Sequence, residues 1–145
     1  MKKKYKIGYT QGVFDMFHIG HLNLLIAAKQ YCDFLYVGVN SDQLVREYKH
    51  KDPVIPEETR RKIVENIKAV DEAVIVSTLD KLEILKTIPF DAVFIGSDWK
   101  NSPRWNQTEI ELGKLGKTVE YLPYTQNISS SILRPSVNNS VDEKN

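Results

Sequence analysis

The 145-residue chain predicts an α/β fold with a mainly parallel sheet of about five strands. Three observations carry that expectation. Short apolar runs alternate with amphipathic stretches of helical length, which implies βαβ units and parallel pairing. One run, residues 34–39, is β-branched and aromatic in sequence, the mark of a strand covered on both faces. The length suits one domain, since separate domains usually need about 100 residues or more each.

The elements follow in order. Residues 6–10 read as the first strand, ending in the turn at Gln11 and Gly12. Residues 22–32 carry Leu22, Leu25, Ile26, Ala28 and Cys32 at helical offsets and read as a buried helix. The strand 34–39 comes next, then a charged stretch at 46–51 broken by Pro53 and Pro56. Residues 57–68 place Ile63 and Ile67 at helical spacing, with Val70 beyond them, and 73–76 form a strand. Asp80 is a plausible N-cap for a helix to Thr87, followed by a strand at 91–95. A helix over 107–115 stops at Gly116, and 119–122 form the last strand. Residues 1–134 are read as one domain and the polar stretch 135–145 as a fraying tail.

Composition narrows the partners. Twenty Lys and Arg against nineteen Asp and Glu give a net charge of +1, too little for a broad basic surface, so neither nucleic acid nor a membrane is an expected partner. One cysteine cannot build a disulfide framework, which fits a reducing, cytoplasmic setting. The basic start lacks the apolar segment of a signal peptide, and no run reaches the ~20 apolar residues of a bilayer span.

In parallel sheets ligands bind beyond the carboxyl ends of the strands, so chemistry is sought in the loops after Thr10, Val39, Ile95 and Leu122. The densest signal is residues 12–21, GVFDMFHIGH, with His18 and His21 flanking Gly20 at the mouth of a helix. A helix N-terminus attracts anions, and two ring N–H donors there would make a phosphate clamp. Residue types alone also admit a capping and packing role, or a metal pair; His50 and Cys32 offer little further ligation. Cys32, Tyr9 and Phe14 read as core residues, and Trp99 and Trp105 as either a ligand lid or loop packing.

Residues 12–21 match G-x-F-D-x-x-H-x-G-H without exception, and the chain thereby resembles the HxGH nucleotidyltransferases in their small cytidylyltransferase form. Residues 70–72 (VDE), 96–99 (GSDW) and 125–131 (TQNISSS) resemble further motifs of that family, nearest to bacterial glycerol-3-phosphate cytidylyltransferases. The resemblance spans roughly residues 7–134 and implies a Rossmann-like three-layer sandwich, CTP as donor, a small phosphorylated acceptor and a homodimer.

It also implies roles for named residues. His18 and His21 would bind the triphosphate, Lys49 or Lys51 would close over it, and Arg60 would join them as a catalytic residue. Gly12, Val13, Phe14, Gly20, Asp98, Thr125, Ile128, Ser129, Ser130 and Ser131 would line the nucleotide. Asp15 would hold the His loop or help place a metal; Mg²⁺ is expected mainly on the triphosphate. Two positions depart from the family pattern: Tyr124 stands for an Arg and Asn127 for a Gly, with Arg134 or Arg104 as candidate replacement charges. The leading expectation is CMP transfer from CTP to glycerol 3-phosphate, giving CDP-glycerol as a cell-surface polysaccharide precursor. The alternative, suggested by Pro53 and Pro56 ahead of Arg60, is an adenylyltransferase acting on a sugar phosphate such as heptose 1-phosphate. A non-catalytic nucleotide-binding regulator is the reading from another class.

Overall fold

The computed structural model describes residues 3–123. In it β1 (Tyr5–Gly12), β2 (Cys32–Asn40), β3 (Glu72–Val76), β4 (Ala92–Gly96) and β5 (Thr118–Leu122) form one sheet in the order β3-β2-β1-β4-β5. Every pairing is parallel. The helices are α1 (Ile19–Lys29), α2 (Asp42–Lys49), α3 (Glu57–Glu65), α4 (Lys81–Leu85) and α5 (Pro103–Lys114), with a 3₁₀ turn at Ser97–Trp99. The expected α/β, Rossmann-like class is the observed one.

Alternation along the strands divides the core between the two faces of the sheet. Leu35, Val37, Val39 and Phe94 pack with Leu25 of α1 and Val64 of α3 on one face. Tyr9 and Val93 pack with Ile84 of α4 and with Trp105 and Leu112 of α5 on the other. This makes three layers, and β2, paired to β1 and β3, is covered on both sides as its composition predicts. Cys32 is buried but opens β2 rather than closing the first helix. Trp105 is a core residue rather than a lid.

Local signals explain where boundaries differ from the expected ones. Helix α1 begins at Ile19 because His18 caps it, its Nδ1 accepting the Gly20 N–H at 3.1 Å. Helix α5 starts at Pro103 because Ser102 caps it and Pro suits the first helical position. It is followed by Gly116 at φ +78°, which ends it as predicted. Helix α2 takes in the first part of the charged stretch expected at 46–51; Ser41 Oγ accepts the Leu44 N–H at 3.1 Å to start it. Helix α3 is shorter than expected, ending at Glu65. Asp80 caps α4 through the Leu82 N–H, as predicted.

A close approach is built into the sheet at Gly38. A Cβ there would lie 2.1 Å from the Tyr9 hydroxyl oxygen, while Tyr9 itself is fully buried and stacked on Phe90 at 5.6 Å. Gly38→Ala is expected to destabilise the fold by about 1–3 kcal/mol through overpacking. Urea unfolding reads this as a lowered midpoint; an unchanged midpoint would mean that Tyr9 moves aside without loss.

The topology also opens a crevice. Pairing of β1 with β2 runs to Gly12, but β1 pairs with β4 only at Gly8 and Tyr9. Beyond Tyr9 the two strands part, bridged by the Thr10 hydroxyl donating to the Phe94 carbonyl at 2.9 Å. The chain runs outward from β1 through β2 to β3, then crosses to β4 and β5. The β1–β4 gap is therefore the switch point, where doubly wound sheets bind ligands.

Candidate active site

The loop from β1 to α1 leaves the carboxyl end of β1, beside this gap. Phe14 and Met16 adopt left-handed backbone conformations, φ 55° and 49°, of the kind non-glycine residues hold only when their surroundings impose them. The constraint is visible: Phe14 is buried in the core, and both carboxylate oxygens of Asp15 accept backbone N–H groups, from Val54 at 2.8 Å and Ile55 at 2.9 Å. Asp15 thus ties the His loop to the Pro53–Pro56 segment.

The two imidazoles are fixed by reciprocal bonds at the first turn of α1. His18 Nδ1 accepts the Gly20 N–H, and His21 Nδ1 accepts the His18 N–H at 3.2 Å. Their rings stack at 3.9 Å, with Phe14 edge-on to His21 at 5.4 Å and Phe17 at 5.3 Å. Because each Nδ1 is an acceptor, each neutral ring carries its proton on Nε2. Burial keeps both rings neutral. It lowers the His18 pKa, and it pushes that of His21 down to about 3, with the charges of His18 and Lys49 adding to the effect.

The sign of that shift gives a prediction. A histidine with a depressed folded pKa disfavours the proton that the unfolded chain binds below about pH 6.5. Its contribution to stability is present above that pH and is lost as pH falls towards 3. The stability gap between the wild type and His21→Asn is therefore expected to shrink from pH 7 to pH 5 in urea titrations. A gap that widens on acidification would mean that the folded ring takes up a proton readily.

Gly20 serves the same pair. A Cβ there would meet His18 Cε1 at 2.9 Å and Nδ1 at 3.1 Å. Gly20→Ala should displace the His18 ring and lower kcat at least tenfold, since catalysis is sensitive to placement on this scale. The melting temperature should change little; a variant with full kcat would show the ring position to be unimportant.

Arg60 differs from the role expected for it. It is 1% exposed, and its guanidinium donates to the carbonyls of Ile55, Val13 and Asn40, each at 2.8 Å, and to Asp42 Oδ1 at 2.6 Å. Buried, with each nitrogen engaged, it braces the ends of β1 and β2 against the 53–56 segment instead of reaching substrate phosphate.

The remaining candidates divide. Lys49, the last residue of α2, stands near enough to His21 for its charge to act on the ring. Lys51 is exposed in the turn beyond His50, which ends α2 at φ 60°. Gly12 and Val13 are buried at the strand end, and Asp98 is exposed in the 3₁₀ turn after β4. Tyr124, Thr125, Asn127, Ile128, Ser129, Ser130, Ser131, Arg134 and the 135–145 tail lie outside the described residues. Sequence reasoning passed over Asn40 and Tyr48, and read Gln11 only as part of a turn, yet a hydrogen-bond chain joins them across the strand ends. Lys81 was also missed: it is buried beside Trp105, donates to the Leu79 carbonyl at 2.8 Å, and burial drives its pKa down to about 7.

Residues 9–136 match the model of the family described as cytidylyltransferase-like. The chain belongs to the cytidylyltransferase-like family. That places it in the HxGH nucleotidyltransferase superfamily. Two curated relatives are both named bifunctional protein HldE. The one from Acidiphilium cryptum (strain JF-5) is 35% identical over 111 residues, covering 76% of this chain and 23% of the relative. The one from Koribacter versatilis (strain Ellin345) is 33% identical over 129 residues, covering 88% and 26%. This cytidylyltransferase-like chain therefore spans about a quarter of the length of those relatives.

Among solved structures, the lipopolysaccharide core biosynthesis protein of Thermoplasma volcanium GSS1 superposes with a TM-score of 0.70 at 27% identity, covering 83% of this chain and 97% of that one. Pantothenate synthetase from Thermus thermophilus, at 14% identity and a TM-score of 0.60 over 81% of this chain and 55% of that one, shares the fold. Among the described residues, no helix of this family member is long and apolar enough to cross a membrane.

Proposed function

We propose that the chain transfers a nucleotidyl group from a nucleoside triphosphate to the phosphate of a small polyhydroxylated acceptor, releasing pyrophosphate. The observation that carries this reading is the pair of neutral imidazoles held by their Nδ1 atoms at the start of α1, beside the gap between β1 and β4. Near pH 7 an acceptor phosphate, with a second pKa of about 6, is already anionic and needs no general base. An oxygen of that phosphate attacks the α-phosphorus as the bond to the α–β bridging oxygen breaks. The electron pair leaves with pyrophosphate. The reaction then requires in-line placement and charge stabilisation, which the Nε2–H donors of His18 and His21 and the ammonium of Lys49 supply.

Mg²⁺ enters this reading as part of the triphosphate substrate. Among the described residues no group of three or more His, Cys, Asp or Glu gathers to hold a metal, and both Asp15 oxygens already accept N–H groups.

For the substrates, the relatives favour the sugar-phosphate branch. The HldE proteins align over most of this chain, and the Thermoplasma structure is described as acting in lipopolysaccharide core biosynthesis, which is saccharide chemistry. ATP with a sugar 1-phosphate such as heptose 1-phosphate is accordingly placed ahead of CTP with glycerol 3-phosphate. The cytidylyltransferase-like description and the GSDW segment at 96–99 keep the second pair in view. Pyrophosphate release is measured with ATP and CTP, each combined with heptose 1-phosphate and glycerol 3-phosphate. Turnover with ATP and the sugar phosphate is expected. CTP with glycerol 3-phosphate alone reverses the order, and no turnover in any combination, repeated with a wider acceptor panel, rejects nucleotidyl transfer.

A further inference from the structure

Across the carboxyl ends of β1 and β2 runs a chain of four side chains whose direction one backbone atom determines. Gln11 Nε2 lies 2.9 Å from the Thr78 carbonyl oxygen, which can only accept, so the Gln11 atom facing it is the amide nitrogen. The same nitrogen faces Asn40 at 2.8 Å, so the Asn40 atom there is its oxygen. Asn40 Nδ2 therefore faces the Tyr48 hydroxyl at 3.0 Å and donates to it. At the other end Gln11 Oε1 accepts the proton of the buried Tyr9 hydroxyl at 2.7 Å. Each step polarises the next in the same sense.

The chain thus ends on the Tyr48 hydroxyl, with its oxygen already accepting and its proton turned to donate onward. Among the described residues nothing accepts that proton. The surroundings specify what would. Lys49 Nζ stands 5.9 Å from the Tyr48 ring centroid, and the charges of Arg104 and Arg60 both act on the phenol. Arg60 is spent on protein acceptors, whereas Arg104 is exposed at the start of α5, the helix that follows β4. A hydroxyl that accepts from Asn40 and keeps its own proton for another partner, half-buried among cations, is complementary to an anionic oxygen.

We infer that Tyr48, aimed by the Gln11–Asn40 relay and backed by Arg104, forms the subsite that binds the phosphate of the acceptor substrate. This rests on the proposed nucleotidyl transfer and assigns its second anion to donors other than the His18–His21 pair.

The test is calorimetric, with no turnover required. Binding of glycerol 3-phosphate, of mannose 1-phosphate as a hexose 1-phosphate probe, and of each nucleoside triphosphate is measured on the wild type, Tyr48→Phe and Asn40→Asp. Tyr48→Phe removes only the hydroxyl and should weaken binding of the phosphorylated probes at least fivefold while leaving triphosphate affinity unchanged. Asn40→Asp keeps the acceptor for Gln11 but presents Tyr48 with a second acceptor, drawing its proton inward; it should weaken the probes as much as Tyr48→Phe does. Unchanged probe affinity in Tyr48→Phe overturns the assignment. So does a loss of triphosphate affinity equal to or larger than the loss for the probes, or a wild type that binds neither probe. If the expected pattern appears in a protein that releases no pyrophosphate, the phosphate subsite stands and the transfer reaction does not.

Discussion

His18→Ala and His21→Ala are each expected to lower kcat by about 100- to 1000-fold, the range observed when one preorganised donor to developing charge is removed. The expectation follows from the reciprocal arrangement of the rings. Each Nδ1 is occupied by a backbone N–H, so each Nε2 carries the proton that a phosphoryl oxygen would accept. Both rings are held neutral, which suits donation without proton transfer. The two variants should differ in stability. His18 is the N-cap of α1, and loss of a cap costs about 1 kcal/mol. His18→Asn separates the two roles, since an amide oxygen can still accept the Gly20 N–H while the Nε2 donor is gone. Steady-state pyrophosphate release and thermal melting are read on the same preparations. Near-normal kcat in both alanine variants would remove the histidines from the reaction.

Arg60→Met should be the most destabilising single change, by about 3–5 kcal/mol, because it breaks a buried ion pair from one side. It would leave the carbonyls of Val13, Asn40 and Ile55 and the Asp42 carboxylate without their donor. The melting temperature should fall by about 10 °C or more. Arg60→Lys should recover only part of the loss, since an ammonium cannot reproduce the fork that reaches four acceptors at once. Chemical denaturation of both variants checks this. Full stability in Arg60→Lys would mean that charge alone suffices. Because two of the braced carbonyls, Val13 and Asn40, lie at the carboxyl ends of β1 and β2, Arg60→Lys is also expected to lower kcat.

Much of the fold was readable from local patterns. The β-branched run at 34–39, the Asp80 cap and the Gly116 stop each act within a few residues, and each appears where predicted. Helix α2 is hard to read in the sequence because only the adjacent Leu44 and Val45 are buried, while charged residues fill much of the rest of the helix. The start of α1 was set three residues late because an imidazole is an uncommon N-cap. That shift matters, since it moves His21 from the approach to the helix into its first turn. Arg60 was assigned from a motif position that says which residue is present and not what surrounds it.

By itself the sequence determined the fold class and the His18–Gly20–His21 spacing at a strand-to-helix junction, the pattern on which the family resemblance rests. These depend on periodicity and short-range spacing, which the chain carries locally. Only the tertiary structure decided that Arg60 supports the site from beneath, that Asp15 clamps the 53–56 segment, and that Asn40 donates to the Tyr48 hydroxyl. Those outcomes depend on partners 47, 39 and 8 residues away in sequence. A side chain's capacity for hydrogen bonds is a property of its type; where the bonds go is settled by which segments the sheet brings together.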